Sequence, residues 1–410
     1  MRLRHLTLQR YRGFESAELT FPEGNLCLLI GRNGAGKSSA LAAMAGLLAS
    51  VRSAALRAHG HPNPPARPSP RDIHTAHQDA FCRLDTSEGH ISRRQRATED
   101  ETTCDLSAPT FGDLSRLPLL AFFPPERGSV GLDRPASGAP RGPLRAWHGA
   151  FPAPGADIFQ GFVPWFRDQE NAENELRLHQ DPAARLPALA CVRRALRTFL
   201  SAVSIEDIGE PRVMRLDSQG KTLPQGELAF PKGSHPLRLS QFSDGERQLL
   251  LLVGELARRL AIANPGAAEP LLGDGVILID EIELHLHPGW QRKILPALAE
   301  TFPNLQIVAT THSPQVLASV PGSAVRVIDD FQIYTAPPTL GRDSNSLLEE
   351  VMGDTPRPQK YLDALARVSD LLDEGRYPAA RSALDRLAAE LTSDDADIQR
   401  FHAMLAFLEE

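Results

Sequence analysis

The chain has 410 residues, 42% hydrophobic and 23% charged, with a formal net charge of −7. That length suits one large α/β domain with insertions or two or three smaller units, and the ordinary composition allows a sizeable core. The charge excludes a surface coated with basic residues while leaving room for a local basic groove of the kind nucleic-acid binding needs. Four cysteines (Cys27, Cys82, Cys104 and Cys191) form no Cys-x-x-Cys pair, so no zinc motif or disulfide framework is expected and a reducing cytoplasm is. The opening MRLRHLTLQRYRGF has no apolar signal core, and no stretch approaches the roughly 18 apolar residues of a membrane span. A cytoplasmic protein with no membrane partner follows.

Residues 26–38, LCLLIGRNGAGKS, are an apolar strand running into Gly31-x-x-x-x-Gly36-Lys37-Ser38. This is the P-loop pattern in its strand–loop–helix setting. The glycines let backbone amides curl around phosphates, Lys37 reaches the β/γ-phosphates, and the Ser38 hydroxyl ligates Mg²⁺. Gly31, Asn33, Gly34, Gly36, Lys37, Ser38 and Ser39 are the candidate ATP contacts. A helix continues through SALAAMAGLLAS, whose small residues allow close packing on a sheet.

From 51 to about 155 the composition turns to Pro, Arg, His and Gly, as in HGHPNPPARPSPRD (59–72) and PPERGSVGLDRPASGAPRGP (124–143). Irregular loops and short strands, partly mobile, are expected there. ISRRQR (91–96) is a basic cluster, read as a solvated face or a contact to DNA phosphates. A helical lobe follows over about 156–235, with VRRALRTFL carrying Arg193, Arg194 and Arg197 on or near one face.

LSQFSDGERQLLLL (239–252) reads as a helix start. Ser240, Ser243 and Asp244 are N-cap types, and Gly245 permits close backbone access. A helix start is an anion site by its free amides and dipole. DGVILIDEIELHLHP (274–288) is a second strand, apolar on both faces over Val276–Ile279 and ending in adjacent acids. Asp280 is the candidate Mg²⁺ ligand and Glu281 the candidate base for a water attacking the γ-phosphate. His285 and His287 lack a third ligand at metal spacing and are assigned to loop shape at a subunit interface. NLQIVATTHSP is a third strand ending in Thr310, Thr311 and His312, where His312 could bond the γ-phosphate or the attacking water. In the tail, apolar residues at helical spacing, a stop at Gly375 and a cap in TSDDAD (392–397) predict three short helices over about 357–410.

Gly31–Ser38, SDGER at 243–247, Asp280-Glu281 and His312 stand in the order found in ABC-class ATPases. The chain resembles their soluble branch, which includes RecF, SMC and OLD-like proteins, and its LTLQRYRGFESAELTF resembles that branch's opening strands. The resemblance implies an α/β ABC-ATPase head over 1–335: a P-loop sheet with an antiparallel subdomain, an irregular insertion and a helical lobe. A C-terminal helical module follows over 336–410. It also implies two ATPs sandwiched between two heads, with Ser243 and Gly245 contacting the ATP of the other subunit. FSDGE stands where transporters carry LSGGQ, no long heptad arm separates Lys37 from Ser243, and Gln160 is a candidate for the Q-loop glutamine.

WFRDQENAENELR (165–177), DEIELHLHPGWQ (280–291), TTHSPQVL (310–317) and GRDSNSLLEEVMGDTPRP (341–358) resemble a narrower family. It is that of the PtuA-type ATPases found with small HNH nucleases in Septu and retron anti-phage systems, and the likeness spans nearly all of the chain except about 51–115. This implies an ATPase that dimerises on ATP and switches a DNA-linked process in phage defence, with a separate HNH-type nuclease, since no nuclease motif follows the ATPase. A RecF-like repair ATPase and a nucleotide-gated scaffold with negligible turnover are the alternatives.

Overall fold

The computed structural model describes residues 1–61, 72–96, 103–106, 114, 117–126, 140, 142–152, 156–203, 208–216, 220–232, 235–355, 357–391 and 394–408. Most of HGHPNPPARPSPRD and PPERGSVGLDRPASGAPRGP lies outside them. The first elements are β1 (Leu3–Tyr11), β2 (Phe14–Thr20), β3 (Leu26–Ile30), α1 (Lys37–Ala58), β4 (Asp79–Thr86), β5 (Gly89–Arg96), β6 (Thr103–Leu106) and β7 (Leu119–Phe123). Next come α2 (Phe162–His179), α3 (Pro187–Ala202), β8 (Arg212–Leu216), β9 (Thr222–Lys232), β10 (His235–Arg238), α4 (Asp244–Ala263) and β11 (Gly275–Ile279). The chain continues through α5 (Pro288–Gln291), α6 (Ile294–Thr301), β12 (Leu305–Thr310), α7 (Pro314–Leu317), β13 (Val325–Asp329), β14 (Gln332–Thr335) and α8 (Ser344–Glu350). It closes with α9 (Gln359–Asp373), α10 (Tyr377–Leu391) and α11 (Ala396–Leu408).

The P-loop sheet has the strand order β14-β13-β3-β12-β11-β7. Its neighbours are parallel except β14, which runs antiparallel to β13 at the edge. LCLLI, GVILI and LQIVAT are buried along almost their whole length, as parallel strands covered on both faces must be. The register sets Ile279 beside Ala309 and Thr310 beside Leu29, so three strands reach their C-terminal ends together.

A second, antiparallel sheet has the order β2-β1-β4-β5-β6. Helix α1 touches strands of both sheets, and Leu41, Met44, Leu47 and Leu48 join the core that both contribute to. By length and hydropathy α1 could cross a membrane, but its apolar residues are spent on this core and most of it is buried. The P-loop sheet, the antiparallel subdomain and the C-terminal helices of the expected fold are present; of the lobe expected to be helical over about 156–235, α2 and α3 form the first part, but β8, β9 and β10 pair as a three-stranded antiparallel sheet over the rest.

Within the stretch expected to be irregular, β4 and β5 form a regular hairpin and β7 is an edge strand of the P-loop sheet. LLAFF has no apolar–polar alternation because it pairs with β11 and is covered on both faces, and its flanks are rich in Pro and Gly. ISRRQR is β5, so its side chains alternate between faces: Arg93 is buried while Arg94 and Arg96 are exposed. The basic cluster is split by the pleat.

The arginines of VRRALRTFL diverge in the same way. Arg194 and Arg197 pair with Glu269 and Glu210 at the surface. Arg193 is buried between α2 and α3, donating to Glu173 Oε1 at 2.7 Å and Glu170 Oε1 at 3.0 Å. Burial alone would raise the Glu173 carboxyl, but the Arg193 hydrogen bond and the Leu186 amide outweigh it and hold the group below its ordinary value.

Residues Met1–Leu347 and Leu348–Glu410 are two compact units. The second has its own core, in which Leu365, Val368, Leu372, Leu384, Ile398, Phe401 and Leu405 of α9, α10 and α11 are buried together. Gly375, at φ 68°, closes α9.

Arg193→Ala should destabilise the first unit by about 3–5 kcal/mol, because Glu170 and Glu173 lose their buried cation. A depressed folded-state pKa contributes stability above the unfolded value and loses it as pH falls through the folded one. The gap between wild type and variant should therefore narrow on acidification. Urea unfolding at neutral and acid pH measures both effects, and equal stability at neutral pH would refute the assignment.

Candidate functional site

β3 ends at Ile30, and the chain turns through Gly31 (φ 148°) and Gly34 (φ 82°) to Gly36 (φ 109°), the N-cap of α1. These are backbone conformations that an L side chain rarely adopts. Space imposes the same choice: a Cβ on Gly31 would lie 2.0 Å from the Ile328 carbonyl oxygen, and one on Gly36 2.7 Å from Phe14 Cζ. Phe14 ends the Arg12-Gly13-Phe14 step between β1 and β2, and its ring meets Phe331 edge-on at 5.2 Å. The Arg-x-Phe segment thus buttresses the P-loop from below. Asn33 and Gly34 are exposed on the loop, while Ser38 and Ser39 occupy the first turn of α1.

Lys37 is buried, and its Nζ donates to the carbonyl oxygens of Gly31 at 2.8 Å and Arg32 at 2.9 Å. The loop is wrapped around its own lysine. Burial draws the Lys37 pKa below its usual value, against the pull of Asp280, Glu283 and Glu281. Ser38 Oγ donates to Asp280 Oδ1 at 3.1 Å, which joins the P-loop helix to the end of β11.

Thr310, fully buried at the end of β12, holds both acids of the neighbouring strand. Its hydroxyl donates to Asp280 Oδ1 and accepts the Glu281 amide at 2.8 Å. Glu281 has φ 50°, a left-handed conformation costly for a residue with a side chain, and it turns the chain out of the strand. Glu283 orders the third strand's exit: it accepts from Thr311 Oγ1 at 2.7 Å and from the His312 amide at 2.5 Å. His312 is half-buried, and burial together with the Lys37 charge lowers its pKa against the opposing effect of the three carboxylates. Its ring is therefore neutral at physiological pH, with one nitrogen to donate and one to accept.

The signature segment begins α4. Ser243 is its exposed N-cap in a complete capping box: its Oγ accepts the Glu246 amide, and Glu246 Oε2 accepts the Ser243 amide at 2.8 Å. Gly245 is buried, and a Cβ there would lie 2.2 Å from the His285 carbonyl oxygen. The helix start is thus docked on the loop that follows Asp280-Glu281, a reason for glycine that the sequence motif did not reveal. His287 caps α5 by accepting the Gly289 amide at 3.1 Å, and His285 is exposed at φ 63°, so the HxH pair shapes the loop. Gln160 lines a separate cavity with Arg145, Arg258 and Arg259.

Lys37, Ser38, Asp280, Glu281 and His312 are brought within electrostatic reach of one another at the ends of β3, β11 and β12. Ser243 makes its side-chain bonds inside its own capping box. Sequence reasoning missed the anchoring of Asp280 and Glu281 by Thr310 and of His312 by Glu283. Each anchor joins two strands, and no spacing within either strand signals it.

A family model described as "AAA domain, putative AbiEii toxin, Type IV TA system" matches residues 26–318. "Retron Vc95 probable ATPase" of Vibrio cholerae serotype O1 biovar El Tor is 27% identical, covering 83% of this chain and 76% of that protein. "Retron Ec83 probable ATPase" of Escherichia coli is 37% identical, covering 41% of this chain and 32% of that protein. "Septu protein PtuA" of Bacillus thuringiensis is 31% identical, covering 32% of this chain and 36% of that protein. Among solved structures, "Crystal structure of the SmcHead bound to the C-winged helix domain of ScpA" matches with a TM-score of 0.47 and 15% identity, over 83% of this chain and 99% of that one.

Thr310→Val keeps the shape of β12 but removes the hydroxyl that holds Asp280 and the Glu281 amide. Any nucleotide hydrolysis should fall roughly 10–100-fold, the cost typical of losing such a supporting partner, with nucleotide affinity changed far less. Steady-state turnover and calorimetric binding on the same preparation separate the two. Unaltered turnover would mean that Thr310 only packs.

Proposed function

The chain belongs to the family of AAA domains whose model spans residues 26–318, and on that premise we propose that it binds ATP with Mg²⁺ and hydrolyses it. The observation that carries the reading is the Ser38–Asp280 hydrogen bond of 3.1 Å, which pairs the P-loop hydroxyl with the carboxylate of the neighbouring strand. These two hard oxygen donors fit a magnesium ion. When bound there, magnesium supplies charge neutralisation at the phosphate oxygens.

The chain's own residues take the remaining roles. Lys37 exchanges its carbonyl partners for the β/γ-phosphates, and the amides from Gly31 to Ser39, with Asn33 and Gly34 on the open side, line the phosphate chain. Glu281, turned out of the strand beside Asp280, accepts the proton of the attacking water. His312, kept neutral and held by Glu283, orients that water or the γ-phosphate.

Ser243 and Gly245 act on the ATP of a second copy. Support comes from the exposed cap and from the amides of Asp244 and Gly245, which precede the first helical bond of α4, Arg247 N–H to the Ser243 carbonyl. Two copies thus close on two ATPs, and hydrolysis reopens them. We take residues 1–335 as the head that closes and 336–410 as the module for higher assembly.

The retron and Septu relatives support placing this ATPase in anti-phage defence; a cytoplasmic setting, a separate HNH-type nuclease and DNA as partners are further parts of the same proposal. The Thr310 and Glu283 anchoring around Glu281 and His312 favours turnover over a static nucleotide-gated scaffold.

Lys37→Ala should abolish high-affinity ATP binding with the fold intact, by calorimetry with Mg²⁺. Glu281→Gln should bind ATP normally, hydrolyse it roughly 10²–10⁴-fold more slowly and prolong the closed dimer. Ser243→Arg should bind ATP but remain monomeric. If light scattering with ATP shows the same mass for both of these variants and neither loses turnover, the paired-head reading fails. Background turnover in the wild type would favour the scaffold.

A further inference from the structure

A cavity of about 80 Å³ lies between the segment Gly142–Trp147, the start of α2 and the C-terminal half of α4. Arg145, Arg258 and Arg259 line it. Arg258 and Arg259 are only 5% and 1% exposed, so their charges are held beneath the surface. Glu255, wholly buried, accepts from Nε and Nη2 of Arg258 at 2.7 and 2.6 Å and from Nε of Arg259 at 2.7 Å. Arg259 Nη1 donates to the Ala146 carbonyl oxygen at 2.6 Å. That leaves Nη1 of Arg258 and Nη2 of Arg259 without a hydrogen bond among the described residues.

Two glycines face these guanidiniums at van der Waals range. A Cβ on Gly149 would lie 3.9 Å from Arg259 Nη2, and one on Gly161 3.4 Å from Arg258 Nη2. Gly161, on the cavity wall, is the N-cap of the 18-residue helix α2 and offers no side-chain cap; of the first-turn amides, that of Phe162 is taken by the Phe159 carbonyl at 3.0 Å and Pro164 has none. The other acid on the wall, Asp157, accepts the Phe159 amide at 2.8 Å. Arg52 of α1, whose buried Nε has no hydrogen-bond partner among the described residues, adds its charge to those of the cavity arginines, which together with burial draw the His148 pKa below its ordinary value. The buried part of the wall carries two arginines against one acid, Glu255, while Asp157 is half-buried and Arg145 is exposed.

Buried cations in excess are costly unless an anion completes them. We propose that this cavity binds a terminal phosphate group, carried by a free small molecule or by the 5′ end of a nucleic acid. A doubly charged tetrahedral anion presents enough acceptors for the free N–H groups of both guanidiniums, while Arg145 at the exposed rim meets whatever carries it. At roughly 10–15 Å³ per water on this scale, the cavity has room for several waters or one such group. The site is not the P-loop. Glu255 stands 12 residues beyond Ser243 on one helix and Arg52 15 residues beyond Lys37 on another, about 18 and 22 Å at 1.5 Å per residue.

The test uses full-length Lys37→Ala protein, in which the P-loop no longer competes. Isothermal calorimetry is run with inorganic phosphate, with a short 5′-phosphorylated oligonucleotide, and with the same oligonucleotide ending in a 5′-hydroxyl. Two further variants are compared: Gly161→Met, which places bulk against the Arg258 guanidinium, and Arg145→Gln at the exposed rim, which leaves the Glu255 triad untouched. Saturable one-to-one binding that weakens at least tenfold in both, with unfolding temperatures unchanged in the absence of anion, is the expected result. Tighter binding of the 5′-phosphorylated oligonucleotide than of phosphate, lost with the 5′-hydroxyl, assigns the group to a nucleic-acid end. Binding of phosphate with no gain from the oligonucleotide assigns it to a small molecule. No saturable binding of any probe, or binding that survives both substitutions, overturns the proposal. If Gly161→Met does not fold, Arg145→Gln alone decides.

Discussion

A single hydroxyl, that of Thr310, stands between the end of β12 and both acids at the end of β11. Asp280 is only 4% exposed, and a carboxylate so placed is tolerable only when hydrogen bonds replace its water. Thr310 supplies one of these and Ser38 another. The same two bonds fasten the P-loop helix, the acidic strand and the strand that leads to His312 into one unit. Glu283 repeats the arrangement one step outward, tying the exit of β11 to Thr311 and His312. Everything proposed for nucleotide chemistry depends on strand register. A slip of one residue between β11 and β12 would turn Thr310 away from Asp280 and take one hydrogen bond from the buried carboxylate.

The molecule buries arginine in two different ways. Arg193 faces Glu170 and Glu173 and adds a contact of 5.7 Å over the Phe166 ring, so charge and donors are matched between α2 and α3. Arg258 and Arg259 share one fully buried carboxylate and keep unused donors beside an open cavity. The first pattern is a staple of the helical lobe. The second leaves a charge that structure alone does not balance, and it lies on the helix whose opposite end carries Ser243.

Close backbone approach is the other recurring device. Gly36 lets Phe14 and Phe331 press on the P-loop, and Gly245 lets the start of α4 rest on the His285 carbonyl. The second contact packs the start of α4 against the loop that leaves Glu281. Glu281 and His285, both with positive φ, bracket that loop and mark where the backbone is held under strain.

The sequence by itself determined the P-loop, the acidic strand, the capped helix at Ser243, the third strand to His312 and the three tail helices. All are signals written within about fifteen contiguous residues: an apolar run, a glycine spacing, a cap followed by a periodic helix. Strand β7, the β4–β5 hairpin, the partners of Thr310 and Glu283, the two fates of the arginines and the cavity on α4 were decided only by the tertiary structure. LLAFF reads as a strand only once β11 lies beside it, and ISRRQR separates into buried and exposed arginines only once the pleat is known. Partners such as Ser38 and Asp280 are 242 residues apart. The energy of such a bond depends on burial and register, which no local pattern of residues contains.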